Sequence, residues 1–169
     1  MDRADQTSIN TRALWALEED MVFLNHGSYG ATPLELLEEQ HRWQRQMESQ
    51  PCQFINDVLP IELRAAAARL AYFVGATPAS VAFVENTTSG VGAILRSLTF
   101  QPGDVIVVTD HIYNAIRQTL LYLSSRSGAV IRTIELGLPA DDTPTLAARI
   151  CEGIDASVKL VLLDHVASV

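Results

Sequence analysis

The sequence is poor in cysteine and has no long hydrophobic run. Its two cysteines, Cys52 and Cys151, lie far apart and show no CxxC spacing, so neither a zinc site nor a disulfide framework is indicated. No segment approaches the roughly 18 apolar residues of a membrane span. The first ten residues, MDRADQTSIN, are polar and contain no signal-peptide core. These absences predict a soluble cytoplasmic protein.

Basic residues are also scarce. Twelve Lys and Arg stand against twenty Asp and Glu, which gives a formal net charge of −8. A nucleic-acid surface needs clustered basic side chains, so the composition argues against a nucleic-acid partner. Hydrophobic residues make up 48% of the 169 residues, which is enough for a substantial core.

Helical and strand-like patterns alternate along the chain. Helices are predicted from a capping box at Thr32 to about Met47, from Pro60 to the residue before Gly75, and between the later strands, with residues 49–60 as a loop. The predicted strands are VAFV (81–84), VIVVT (105–109), AVIRTIEL (129–136) and VKLVLL (158–163). Apolar strands separated by helices are typical of βαβ units. They predict a three-layer α/β/α fold with a mostly parallel sheet.

The segment VENTTSGVGAILRSL (84–98) places three hydroxyl residues and a glycine where a strand would pass into a helix. Small hydroxyl residues can cap a helix, because its first N–H groups lack partners within the helix. The same N–H groups, with the positive end of the helix dipole, attract a phosphate. The turn alone leaves both interpretations open.

Two predicted strands end in the same dipeptide, Asp110-His111 and Asp164-His165. The carboxyl ends of parallel strands share one edge of a sheet, where ligands bind, so these residues and the turn at 87–90 are expected to converge. Each pair could instead cap the following helix, or the two could supply nitrogen and oxygen ligands to a metal in a hydrolase. The metal interpretation is the weakest, because neither pair has the i, i+4 spacing of a helical ligand motif.

Four segments, in this order, resemble the class V aminotransferase group of pyridoxal phosphate (PLP) enzymes of fold type I. They are FLNHGSYGATP (23–33), FVENTTSGV (83–91), GDVIVVTDHIYNA (103–115) and LVLLDHVAS (160–168). Within the group they are most similar to isopenicillin N epimerase-like proteins and their relatives among the C–S lyases and cysteine desulfurases. The resemblance implies PLP as cofactor, a small amino acid as substrate and a homodimer for the full-length protein. It does not distinguish epimerase, lyase, desulfurase and transaminase.

The resemblance also implies roles for cofactor-binding residues of this chain. Thr87 and Thr88 would hold the cofactor phosphate, with Ser89 nearby. Tyr113 falls where the family places a ring that stacks on the pyridine, and the less favoured alternative is packing at the start of a helix. Ser168 falls near the position that addresses the phenolic oxygen of the cofactor.

On the substrate side, Asn25 and His26 resemble an entry loop that borders the substrate. Their glycine-rich segment tolerates close approach of other groups, but a plain turn would have the same composition. His111 and His165 are expected to be supporting residues that form hydrogen bonds at the strand ends and bind no metal.

Lysine is almost absent from the sequence, and this departs from the family pattern. PLP chemistry needs a lysine for the internal Schiff base and an acid beside the pyridine nitrogen, and the family places both beyond the last motif present here. The only lysine is Lys159. At about 3.3 Å per residue it precedes Asp164 by some 16 Å, toward the wrong end of its strand. The chain is therefore expected to contain no catalytic lysine.

The predicted organisation follows from that departure. Residues 1–58 are expected to be an N-terminal segment with the entry loop and a helix, and residues 59–169 the N-terminal part of the PLP-binding large domain, without the C-terminal small domain. As a full-length family member the protein would act at the α-carbon of an amino acid, whereas the 169-residue chain is expected to be inactive. The alternative is a non-catalytic truncated or degenerate paralogue that binds a phosphate or a partner.

Overall fold

The structure, a computed structural model, describes residues 11–138 and 142–167. They divide into two compact units, the first ending at Ala82 and the second beginning at Phe83. The first unit is helical and the second is an α/β unit. The predicted boundary after residue 58 lies inside the first unit, and the domain assignment stays a prediction.

The first unit is built mainly from two long helices. Its helices are α1 (His26–Tyr29), α2 (Leu34–Ser49), α3 (Pro51–Gln53) and α4 (Leu59–Val74), with a π-helical turn at Phe54–Val58 and 3-10 turns at Thr11–Leu14 and Pro78–Ser80. None of the helices among the described residues has the length and apolar character that crossing a membrane requires.

The predicted loop over residues 49–60 is wrong, because this segment is helical. Pro51 opens α3 at a position where its missing N–H costs nothing. Phe54 is buried and packs edge-on against Trp43 with ring centroids 6.0 Å apart, which holds the π-helical turn onto α2. The predicted capping box is also wrong, since α2 begins at Leu34, after Pro33, and no side chain caps it.

The end of α4 agrees with its prediction. Gly75 adopts a left-handed conformation, with φ +70°, and its N–H donates to the carbonyls of Ala71 and Tyr72. Ala67 and Ala71 are completely buried, so the alanine-rich face of α4 is the one that packs.

The second unit contains a three-stranded parallel sheet in the order β2-β1-β3. Its elements in chain order are α5 (Thr87–Ser97), β1 (Val105–Thr109), α6 (Asn114–Ser127), β2 (Val130–Ile134), α7 (Thr143–Glu152) and β3 (Val158–Val161). The central strand β1 is buried along its whole length. The predicted α/β fold with a parallel sheet is thus confirmed for the part of the fold that the chain covers.

The core lies between the sheet and the helices α5 and α6. It combines side chains of α5, β1 and α6 with three residues of the connections: Leu95, Phe100, Ile106, Val108, Ile112, Ile116, Leu120 and Ala129. The crossovers through α6 and α7 run in opposite directions across the sheet. Because such crossovers are almost always right-handed, this strand order predicts that the two helices cover opposite faces of the sheet.

The prediction of a strand over residues 81–84 is wrong, since these residues form no strand with any residue that the structure describes. The backbone at Val81 is extended, but the segment pairs with no described strand. Phe83 and Val84 are about half exposed. An apolar run with strand propensity needs a partner before it becomes a strand.

The carboxylate of Asp110 joins the ends of β1 and β2. It accepts hydrogen bonds from the backbone N–H groups of Leu136, at 2.9 Å, and Gly137, at 3.2 Å. Burial raises the pKa of this carboxyl, but the two N–H donors and the neighbouring His111 outweigh burial, so the pKa of Asp110 lies below its ordinary value. The charged form is therefore the one that the fold stabilises.

We expect Asp110→Ala to lower the free energy of unfolding by about 1–3 kcal/mol, because two hydrogen bonds to a charged acceptor are lost. Asp110→Asn keeps one acceptor oxygen and should lose less. Urea denaturation measures both, and faster hydrogen exchange at the Leu136 amide would locate the effect. The exposed Asp57 supplies the control, since Asp57→Asn should leave the unfolding free energy unchanged.

The lowered pKa fixes the sign of the pH dependence. The stabilisation by Asp110 is present above its unfolded pKa, about 3.9, and is lost as pH falls through the lower folded pKa. The stability difference between wild type and Asp110→Asn should therefore shrink below about pH 4. A difference that stays constant between pH 7 and pH 3 would contradict this account.

Candidate functional site

The helix α5 is capped by Asn86 and by none of the hydroxyl residues that follow it. The Asn86 side chain accepts a hydrogen bond from the N–H of Ser89 at 2.8 Å, and its carbonyl accepts from the N–H of Gly90 at 3.1 Å. Asn86 has an extended backbone, as a residue in this position should. Capping therefore does not account for the hydroxyl groups of Thr87, Thr88 and Ser89.

These hydroxyl groups and two N–H groups are open donors at the start of α5. Among the residues that the structure describes, the hydroxyls of Thr87, Thr88 and Ser89 make no hydrogen bond, and neither do the N–H groups of Thr87 and Thr88. They lie at the positive end of an eleven-residue helix. This donor set is suited to a phosphate or another dianion.

Gly90, in the first turns of α5, lies close to the segment that leads into the helix. A Cβ atom at this position would lie 3.2 Å from Cγ2 of Val84, in the segment that leads into the turn. A larger residue would push against Val84, three residues before Thr87.

Tyr113 stands at the carboxyl edge of the sheet, immediately before α6. Its N–H donates to Oδ2 of Asp164, which follows β3, at 2.8 Å. Tyr113 is 51% exposed and is therefore accessible to a ligand. The structure thus joins two of the strand ends that the sequence predicted to converge.

The aspartates of the two Asp-His pairs accept hydrogen bonds from backbone N–H groups. Asp110 binds the end of β2, and Asp164 binds Tyr113 beyond β1. The Nε2 atom of His111 lies 3.8 Å from Oδ1 of Asp110, whereas His165 is exposed and bonds to no described residue. The described residues contain no group of three or more His, Cys, Asp or Glu that could hold a metal.

The entry-loop residues lie in the first unit. The carbonyl of Asn25 accepts hydrogen bonds from Ser28 and Tyr29, so this residue starts the short helix α1 through its backbone and leaves its side chain unused as a cap. The His26 ring meets Phe23 edge-on at 4.7 Å and Trp15 at 5.7 Å between centroids. The substrate-side role of Asn25 and His26 stays a prediction.

Lys159 lies at the amino edge of the sheet, as its sequence position predicts. Its Nζ atom is 3.5 Å from Oδ2 of Asp104, just before β1, while Asp164 lies beyond the opposite end of β3. In a parallel sheet all strands begin at the same edge, so Lys159 is remote from the strand ends that carry Asp110 and Asp164. Ser168, the remaining predicted cofactor residue, lies outside the described residues.

Sequence reasoning missed the contributions of Asn86 and Asp164. Asparagine is among the best N-cap residues, so an asparagine immediately before Thr87 could have indicated that Asn86 caps the helix. The Asp164–Tyr113 bond links residues 51 positions apart, and no local pattern reveals it.

Comparison with known proteins assigns these features to a family. The family model of aminotransferase class V matches residues 42–169. The chain is 28% identical over 165 residues to the putative L-cysteine desulfhydrase 1 of Oryza sativa subsp. japonica, covering 89% of this chain and 34% of that protein. It is 27% identical over 158 residues to the isopenicillin N epimerase of Streptomyces clavuligerus, covering 93% and 39% respectively.

A solved structure agrees in fold. It is a C-DES mutant with glycine covalently linked to its PLP cofactor, and it matches with a TM-score of 0.75 at 23% identity, over 89% of this chain and 39% of its own. The chain spans between a third and two fifths of the length of these proteins. Class V aminotransferases depend on PLP, and PLP is the cofactor that the sequence motifs predict. The family model matches residues 42–169, which is most of the 169-residue chain. The chain therefore belongs to the class V aminotransferase family.

Proposed function

We propose that this chain supplies the phosphate-binding and ring-stacking part of a PLP-dependent enzyme that acts at the α-carbon of an amino acid. The reaction of the full-length protein is elimination of a sulfur-bearing group or epimerisation, as the names of the desulfhydrase and epimerase relatives suggest. The observation that carries the proposal is the set of open donors at the start of α5, which Asn86 leaves free by capping the helix itself. A homodimer in the cytoplasm is part of the same proposal.

The residues present fit the cofactor in chemistry. Thr87 and Thr88 would bind the phosphate through two N–H groups and two hydroxyls, and the dipole of α5 favours the negative charge there. The Tyr113 ring would bind the flat face of the pyridine and orient it, at small cost in side-chain entropy. When bound, PLP withdraws electrons from the substrate's α-carbon, and the protein's task is to hold it in place.

Lys159 does not fit the role of the lysine that binds PLP covalently. Its ammonium group pairs with Asp104 at the edge where the strands begin. The proposal therefore gives this chain binding and orientation of the cofactor and assigns it no covalent step.

The double change Thr87→Val/Thr88→Val should weaken binding of pyridoxamine 5′-phosphate by at least about tenfold. Hydrogen bonds to a charged group are worth about 1.5–3 kcal/mol each, and two hydroxyl donors are removed. Isothermal calorimetry of this probe measures the effect. Because the probe has no aldehyde, it cannot react with an amine of the chain.

The matched control is Thr143→Val/Thr145→Val at the start of α7, another helix of the second unit. These threonines follow the cap residue Asp142, and changing them should leave the affinity unchanged. Equal loss in both double variants, or no loss in either, would remove the phosphate role from Thr87 and Thr88.

Tyr113→Ala should weaken binding of the same probe and change the absorbance of the bound cofactor, whereas Tyr113→Phe should keep both. Stacking requires the ring and not the hydroxyl. Tyr122 is also exposed in the second unit, at 58%, and Tyr122→Ala is the control that should behave as wild type. If Tyr113→Phe were as damaged as Tyr113→Ala, the hydroxyl and not the ring would be the active group.

The 169-residue chain should show no turnover of any amino acid, and borohydride reduction with PLP should leave no stoichiometric label on Lys159. A lysine can react only where its nitrogen meets the cofactor, and Lys159 lies at the opposite edge of the sheet. Peptide mapping after reduction is the measurement, and Lys159→Arg, which retains the ion pair with Asp104, is the control. Stoichiometric label on Lys159 with lyase or racemase activity would overturn the assignment.

A further inference from the structure

We infer that Asp164 is a positioning residue for the cofactor ring: its carboxylate holds the backbone of Tyr113, and through it the ring that stacks on the pyridine. The inference rests on the proposed function, because it concerns the site that Tyr113 would form. It assigns Asp164 no contact with the cofactor itself.

Both backbone groups of Tyr113 are fixed. Its carbonyl accepts hydrogen bonds from Ile116 and Arg117, both at 3.0 Å, as α6 begins. Its N–H lies before the helix and cannot bond within it, and Asp164 accepts this hydrogen bond at 2.8 Å. The remaining freedom of Tyr113 is the rotation of its side chain.

Among the described residues, the side chain of Tyr113 forms no hydrogen bond, ion pair or ring contact. Its ring is half exposed and takes part in none of the ring contacts formed in that part of the chain. A stacking ring with a free side chain depends on its Cα position for its alignment. The hydrogen bond from Tyr113 to Asp164 is therefore one of the backbone contacts that fix the Cα atom from which the ring is presented.

Ordinary helix capping does not explain the position of Asp164. A capping side chain normally belongs to the residue that begins the helix and accepts from an N–H two or three residues later. Asp164 comes from the end of a different strand and accepts from the N-cap residue itself. Its negative charge at the start of α6 is also favoured by the helix dipole.

The other Asp-His pair provides a matched comparison within the same sheet edge. Asp110 binds Leu136 and Gly137, neither of which is a proposed cofactor residue. Removing Asp110 should destabilise the fold without a specific effect on the ring. Removing Asp164 should change the environment of the ring.

The experiment uses the whole chain with pyridoxamine 5′-phosphate, and it reads both the dissociation constant and the circular dichroism induced in the cofactor's absorption band. Asp164→Ala should lose the induced signal and weaken binding roughly three- to tenfold, within the range of coupling between residues in contact. Asp164→Asn should restore most of both, because its amide oxygen still accepts from Tyr113. Asp110→Ala should keep the induced signal.

A double-mutant cycle separates positioning from general damage. If Asp164 acts through Tyr113, adding Asp164→Ala to Tyr113→Ala should change the dissociation constant by less than about twofold. The inference is overturned if Asp164→Ala weakens binding by the same factor in the wild-type and Tyr113→Ala backgrounds, or if Asp164→Ala leaves the induced signal unchanged. Either result leaves the proposed function in place. Failure of the wild type to bind the probe overturns the proposed function, and the inference falls with it.

If Asp164→Ala does not fold, Asp164→Glu takes its place. Glutamate keeps the charge but moves the carboxylate outward by one methylene, so the induced signal should fall while binding through the phosphate persists. An induced signal equal to that of wild type in Asp164→Glu counts against the inference.

Discussion

The carboxyl edge of the parallel sheet carries backbone N–H groups that the strand ladder leaves without partners, and two aspartates bind them. Asp110 closes the gap between β1 and β2, and Asp164 closes the gap between β1 and β3. Because the strand order is β2-β1-β3, the two carboxylates connect all three strand ends. A loop beyond a strand can hold a functional group only if its own backbone is fixed, and here charge-assisted hydrogen bonds provide that fixation.

The start of α5 follows a different rule. Here the donors that matter are the ones that remain unpaired, and Asn86 makes this possible because it satisfies the helix's capping requirement at Ser89 and Gly90. Under the proposed function, capping and anion binding are thus divided between neighbouring residues. Asn86 carries no charge, so its capping leaves the positive end of the helix dipole able to favour a bound anion.

The parts of the fold set by hydrophobic pattern and strong local signals were predictable. The bounds of β1 follow from the run VIVVT, and the end of α4 follows from Gly75, which alone adopts the left-handed conformation there without strain. The helical conformation of residues 51–58 was not predictable, because the contact of Phe54 with Trp43 that stabilises it joins two different helical segments. The strand expected over residues 81–84 failed for the complementary reason that strand formation needs a partner. Likewise, the hydroxyl residues at the start of α5 were recognisable in the sequence. The hydrogen bond from Ser89 to the Asn86 side chain shows that Asn86 caps the helix and that these hydroxyls do not.

The pairing of Lys159 with Asp104 has a practical consequence for labelling. This is the only lysine in the sequence, and its side chain is about half exposed at the edge where the strands begin. An amine-reactive dye or surface linker therefore has a single lysine to attack. Attachment there would immobilise the second unit by the edge opposite Asp164, so that the proposed cofactor residues at the strand ends face away from the support.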